Sequence, residues 1–138
     1  MTGGSGMAVP HRGAWVRVGI SRDGGPLRRE EQAVWLQAGR YYADSRGFAG
    51  TTEYDGAAVR FHHEVGTPGD DVGVLSMQAD HMLETGVNAD GSTFFEVWRA
   101  LPDDGGDVGV WRCAGTQTVR VGRHVVHVNG NDGVYQVI

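Results

Sequence analysis

Two glutamates, Glu84 and Glu96, lie in segments of matching character, Met82-Leu83-Glu84-Thr85-Gly86-Val87 and Thr93-Phe94-Phe95-Glu96-Val97-Trp98. The segments read as the two arms of a β-hairpin. A turn centred on Asp90 sets Glu84 directly opposite Glu96 on one face, and Met82 opposite Trp98. Like charges opposed in a sheet repel. Such a pair persists when it is solvated, when arginine neutralises it, or when the two carboxyls share a proton. A shared proton raises one pKa and creates an acid–base couple. A two-residue turn of Asp90 and Gly91 would instead send the glutamates to opposite faces. The sequence leaves both registers open.

A second polar group follows Trp35-Leu36-Gln37, in Tyr41-Tyr42-Ala43-Asp44-Ser45-Arg46. With period two, Tyr42, Asp44 and Arg46 share one face, so Asp44 and Arg46 are placed to pair. One reading is a salt bridge at the surface or at a barrel end. The other is a ligand-facing carboxylate with its charge partner. Glu84, Glu96 and Asp44 are thus the candidate acid–base groups. Trp35, Tyr42, Phe95 and Trp98 are candidates for contact area against a ligand, with Gln37, Asp44 or Arg46 orienting a polar group.

Other chemistries find less support. His62 and His63 are adjacent, and His124 and His127 are three apart, so strands send each pair to opposite faces. No His-x-His pair is present, and no metal site is expected; His63 and His127 are the candidates if a histidine holds haem or a metal. Cys113 is the single cysteine, which excludes an internal disulfide, and no nucleophile motif surrounds it. All 12 basic residues are arginine, which excludes lysine Schiff-base chemistry and a lysine-dependent phosphate loop. Neither a nucleophile elbow nor a dinucleotide fingerprint is present. No cofactor is expected.

The elements that position these residues are short strands. The chain has 138 residues, enough for one domain with a real core. Its 23 glycines have no collagen-like period and fall between short apolar runs, as tight turns do. Strands are expected over 14–20, 33–37, 40–46, 57–65, 72–78, 81–87, 93–101, 108–113, 116–121, 124–128 and 134–138. The one stretch of helical character is 27–32. About nine to eleven strands at such spacing signal a sandwich or a barrel. Closure hides strand edges most simply, so a single antiparallel up-and-down barrel over 13–138 is expected, behind a flexible arm over 1–12. The four tryptophans, Trp15, Trp35, Trp98 and Trp111, fall in four different strands, as core or as cavity lining.

A net charge of −5 with scattered arginines argues against nucleic acid. No apolar run reaches the roughly 18 residues of a membrane span, and no secretory leader is evident. A cytoplasmic protein is the default expectation. Oligomeric state is open, with a homodimer among the options.

In order, Trp35-Leu36-Gln37, Tyr42-Ala43-Asp44-Ser45-Arg46, Phe48-Ala49-Gly50, Glu84-Thr85-Gly86 and Glu96-Val97-Trp98 resemble the lipocalin-like (calycin) barrels. More narrowly, the chain is similar to the Hri-type proteins and their bacterial relatives, over roughly 13–101. It departs from them in having Phe48-Ala49-Gly50 almost directly after Arg46, where they carry a longer loop. The resemblance implies an antiparallel barrel with an internal cavity but no particular activity. The expected function is therefore a barrel that holds a small, largely apolar molecule. The alternative is a cofactor-independent cyclase, isomerase or dehydratase using cavity carboxylates. A barrel filled by its own side chains is a further option.

Overall fold

The computed structural model describes residues 11–88 and 90–138. Strands β1 (Arg12–Arg22), β2 (Val34–Ala38), β3 (Tyr41–Asp44) and β4 (Phe48–Asp55) are followed by β5 (Ala58–Val65), β6 (Gly69–Gln78), β7 (His81–Val87) and β8 (Thr93–Ala100). Each pairs antiparallel with the next, and β8 returns to β1, closing an eight-stranded barrel. Strands β9 (Val108–Cys113), β10 (Thr116–Val121), β11 (His124–Asn129) and β12 (Asp132–Val137) form a separate four-stranded antiparallel sheet. Tight hairpins are possible because glycine takes the left-handed conformation where needed, as Gly39 does between β2 and β3 (φ 62°).

The strand pattern divides the apolar residues between two cores. Along β2, Trp35 points into the barrel, while Val34, Leu36 and Ala38 point outward, and all five residues of the strand are buried. The outward set meets Val119, Val121, Val126 and Val128 of β10 and β11. The inward set joins Tyr42, Phe61, Leu75, Met82 and Trp98 inside the barrel. The four-stranded sheet is thus a cover on the outer face of β1–β4, which explains why β2 is buried on both faces.

The all-β, antiparallel barrel expectation holds, with three corrections. The barrel has eight strands and ends near residue 100; the remaining four strands build the cover and not more barrel wall. Strand β4 is absent from the sequence reading, because Ala49-Gly50-Thr51-Thr52 offers little apolar pattern; pairing with β3 and β5 on both sides makes it a strand. Residues 27–32 form no helix but an extended segment, tied to β1 by reciprocal backbone hydrogen bonds between Ile20 and Arg28. The arm expected over 1–12 lies, except for its last two residues, outside the described residues. Among the described residues no helix is long and apolar enough to cross a membrane.

Candidate functional site

The hairpin of β7 and β8 sets Glu84 opposite Glu96 and Met82 opposite Trp98, the register of a turn centred on Asp90. Both glutamates point into the barrel and are buried. Two cations reach Glu96. The Arg17 guanidinium, itself buried, donates to its Oε2 at 2.9 Å, and Arg46 lies 3.4 Å from the same oxygen. Arg17 shares the inner face of Trp15 two residues before it, and a bulge at Val18 in β1 then puts Ile20 on the inner side as well. Glu84 has a different environment. Its Oε1 accepts the indole N–H of Trp98 at 3.1 Å, and neither arginine forms an ion pair with it. Burial, then the neighbouring Glu96, push its pKa up to about 8, against the opposing pull of Arg46 and Trp98. At neutral pH Glu84 is a neutral carboxyl beside an ion-paired Glu96, as expected when two carboxyls share a low-dielectric space.

Close approach by glycine makes room for this pair. A Cβ on Gly73 of β6 would lie 2.2 Å from Oε2 of Glu84, so the carboxyl lies across the glycine backbone. The ring of Phe94 crosses Gly86 of β7 in the same way, 2.4 Å from where its Cβ would be.

Asp44 ends β3 inside the barrel. Its carboxylate takes the Arg46 guanidinium in a fork, Nη2 to Oδ2 at 2.7 Å and Nε to Oδ1 at 3.0 Å. The Arg46 backbone N–H also donates to Oδ1. The turn after β3 thereby folds Arg46 back over the barrel, where it lies 5.1 Å from the Phe48 ring centroid and 5.8 Å from that of Trp98. Burial opposes the charge on Arg46, but Asp44, Glu96 and Glu84 more than offset it and its pKa is raised. Asp44, Arg46, Glu96 and Arg17 form one chain of alternating charge.

Around this chain lies a cavity of about 230 Å³. Trp35, Tyr42, Phe48, Phe61, Phe94, Trp98 and Ile20 supply apolar wall; Asp44, Arg46, Glu84 and Glu96 supply polar wall. Arg22, Asp71 and Asn88 stand at the end of the barrel where β1, β5 and β7 finish and β6 begins, which marks the mouth. The aromatic rings meet edge to face: Trp35 and Trp98 at 5.7 Å, Trp35 and Phe61 at 5.3 Å, Tyr42 and Phe61 at 5.1 Å. The Tyr42 side chain is fully buried and its hydroxyl has no hydrogen-bond partner.

Of the residues singled out in the sequence, Trp35, Tyr42, Asp44, Arg46, Glu84, Glu96 and Trp98 come together at this cavity. Two do not. Phe95 lies on the outer face of β8, because period two sends it away from Glu96 and Trp98, and Phe94 takes the inner position. Gln37 points inward but lies away from the cavity, toward the β2–β3 turn. Its carbonyl accepts the Trp35 indole N–H and its amide donates to Gly39 and Thr52, so it orients Trp35. Arg17, Phe48, Phe61, Asp71 and Phe94 were missed. Strict alternation from Glu96 finds Phe94, alternation along 57–65 places Phe61, and alternation puts Arg17 on the face of Trp15.

The histidine candidates sit elsewhere. His63 stacks on Phe48 with ring centroids 4.7 Å apart, and its Nε2 lies 2.9 Å from Asp71. His127, exposed on the cover sheet, contacts Thr118 Oγ1. Among the described residues no three His, Cys, Asp or Glu side chains are grouped to hold a metal ion. Trp111 is 56% exposed on the cover sheet and belongs to neither core.

The closed, eight-stranded antiparallel meander is consistent with a lipocalin-like fold. No family model, no curated protein and no solved structure matches the chain.

Proposed function

We propose that this protein binds a small, largely apolar molecule inside its barrel. The observation that carries the reading is the cavity itself, in which a neutral carboxyl and a guanidinium stand among aromatic rings. Binding sites commonly combine apolar walls with a few placed polar groups in this way. The volume falls below the roughly 300–1,000 Å³ of drug-sized sites, which points to a compact ligand. The narrower likeness to the Hri-type proteins rests on the motifs alone and belongs to this proposal, as does a cytoplasmic setting, which suits the exposed, unpaired Cys113.

Native mass spectrometry of gently purified protein, compared with its denatured mass, tests the reading. Extra mass lost on denaturation, and absent when Gly73→Leu fills the cavity, supports it. If no compound adds mass and none of a library of small aromatic molecules shifts the Trp98 indole N–H resonance, the barrel does not bind.

A second reading is catalytic. Glu84, with its pKa near 8, is poised to give and regain a proton close to neutral pH beside a fixed carboxylate. That suits an isomerisation, cyclisation or dehydration of the bound molecule. A ligand recovered chemically unchanged after long incubation argues for binding alone, whereas turnover abolished by Glu84→Gln argues for the enzyme.

A further inference from the structure

The size of the cavity and the state of its polar groups narrow the ligand class, a step that rests on the binding role proposed above. Tyr42 lines the cavity with its side chain fully buried, yet its hydroxyl makes no hydrogen bond. A buried phenol normally has a partner. The carboxylates of the cavity bond elsewhere: Asp44 holds Arg46 by both oxygens, and Glu84 accepts from Trp98. Burial, and then the charge of Asp44, drive the Tyr42 pKa upward, so the hydroxyl keeps its proton and remains a donor. Arg46 commits Nε, Nη1 and Nη2 once each to Asp44 and Glu96, and a guanidinium carries five N–H groups, so it has donors to spare. Glu84, neutral, carries a further O–H. The cavity therefore holds donors left over from its own pairs, the unpartnered Tyr42 hydroxyl first among them.

Charge narrows the class further. A cationic ligand would lie against the Arg46 guanidinium, and an anionic one against Asp44 and Glu96. Neither repulsion is screened inside the barrel as it is in bulk water. A neutral acceptor meets neither. A cavity of roughly 150 Å³ accepts benzene. The 230 Å³ here holds one ring with a modest substituent. Aromatic faces at Phe48, Phe61 and Trp98 suit a flat ring.

We propose that the barrel takes a neutral, single-ring aromatic carbonyl compound, whose oxygen accepts from the Tyr42 hydroxyl and whose ring lies among Phe48, Phe61 and Trp98.

Four probes of similar size separate the possibilities: acetophenone, ethylbenzene, benzoate and benzylammonium. Dissociation constants come from titrations that follow the indole N–H resonances of Trp35 and Trp98. Acetophenone is expected to bind at least about tenfold more tightly than the other three. Tyr42→Phe, which keeps the ring and removes only the hydroxyl, is expected to reduce that advantage over ethylbenzene about fivefold, as the loss of one hydrogen bond does. An unchanged ratio in Tyr42→Phe, or equal binding of acetophenone and ethylbenzene, overturns the carbonyl assignment while leaving the binding site intact. Tighter binding of benzoate or benzylammonium overturns the neutral class in the same way. If none of the four moves either indole resonance, the ligand class fails, and with it the cavity reading for compounds of this size. Thermal midpoints of both proteins, measured alongside, show that Tyr42→Phe remains folded.

Discussion

The two glutamates show how position separates chemically identical side chains. Glu96 lies 2.9 Å from Arg17 and 3.4 Å from Arg46, whereas Glu84 has only a neutral indole donor. The difference has a consequence for pH. The Glu84 pKa is raised on folding from 4.5 to about 8, so between those values the unfolded chain releases a proton that the native state keeps. Stability from this group is fully present below pH 4.5 and is lost as pH rises, the loss being complete once the folded carboxyl also ionises near pH 8. Glu84→Gln removes the dependence while keeping an acceptor for Trp98. Denaturant unfolding from pH 5 to pH 9 should show the variant gaining on the wild type as pH rises, at a slope of at most about 1.4 kcal/mol per pH unit. Parallel curves for the two proteins would mean that Glu84 is ionised in the native state. Arg17 predicts a different result. Its side chain and that of Glu96 are 2% and 5% exposed, so Arg17→Met strands a buried carboxylate with only the longer contact to Arg46. A loss of about 3 kcal/mol is expected by the same measurement at pH 7, since breaking one side of a buried pair costs that order. A loss below about 1 kcal/mol would show that Arg46 alone suffices.

Individual strands owe their faces to parity and to its interruptions. Parity was legible in the sequence: it placed Tyr42 with Asp44, and Glu84 with Met82, on common faces. The register of the β7–β8 hairpin was not, because a shift of one residue in its turn reverses every side chain. Bulges were equally invisible. One at Val18 in β1 puts Ile20 on the inner face that Trp15 and Arg17 already share, and another, at Glu64 in β5, lies opposite Ala49 and Gly50. Phe95 shows the opposite failure, since alternation alone already excludes it from the face of Glu96 and Trp98. The β5 bulge depends on the glycine opposite it. A Cβ at Gly50 would lie 1.9 Å from the backbone oxygen of His62, and backbone cannot swing aside as a long side chain can. Gly50→Ala should therefore cost about 1–3 kcal/mol, the usual range for overpacking, and should disturb β4–β5 pairing first. Amide hydrogen exchange along β4 and β5 checks this; protection equal to wild type would show that the strands move apart at little cost.

At the scale of the whole molecule, the cover sheet and the barrel share structure that neither has alone. Val34, Leu36 and Ala43 of the barrel pack on Val119, Val121, Val126 and Val128 of the sheet. A polar link crosses the same interface. Gln117 of β10 is fully buried and its amide donates to the carbonyls of Tyr42 at 2.8 Å and Gly50 at 2.9 Å, while its own carbonyl accepts from Arg112. Both of those barrel carbonyls belong to the β3–β4 pair, and Tyr42 is also the residue whose ring lines the cavity. The sheet therefore anchors itself to the backbone of the wall that carries the site. Gln117→Leu keeps the approximate volume but removes both of these hydrogen bonds across the interface, at a cost of about 1–3 kcal/mol. Since the apolar core is continuous across the interface, barrel and cover should unfold together. A methyl resonance of Val126 and the indole N–H of Trp98 should lose intensity at the same urea concentration, in wild type and in Gln117→Leu alike. An earlier loss at Val126 would mean that the cover detaches while the barrel stands, and that the cavity wall does not require it.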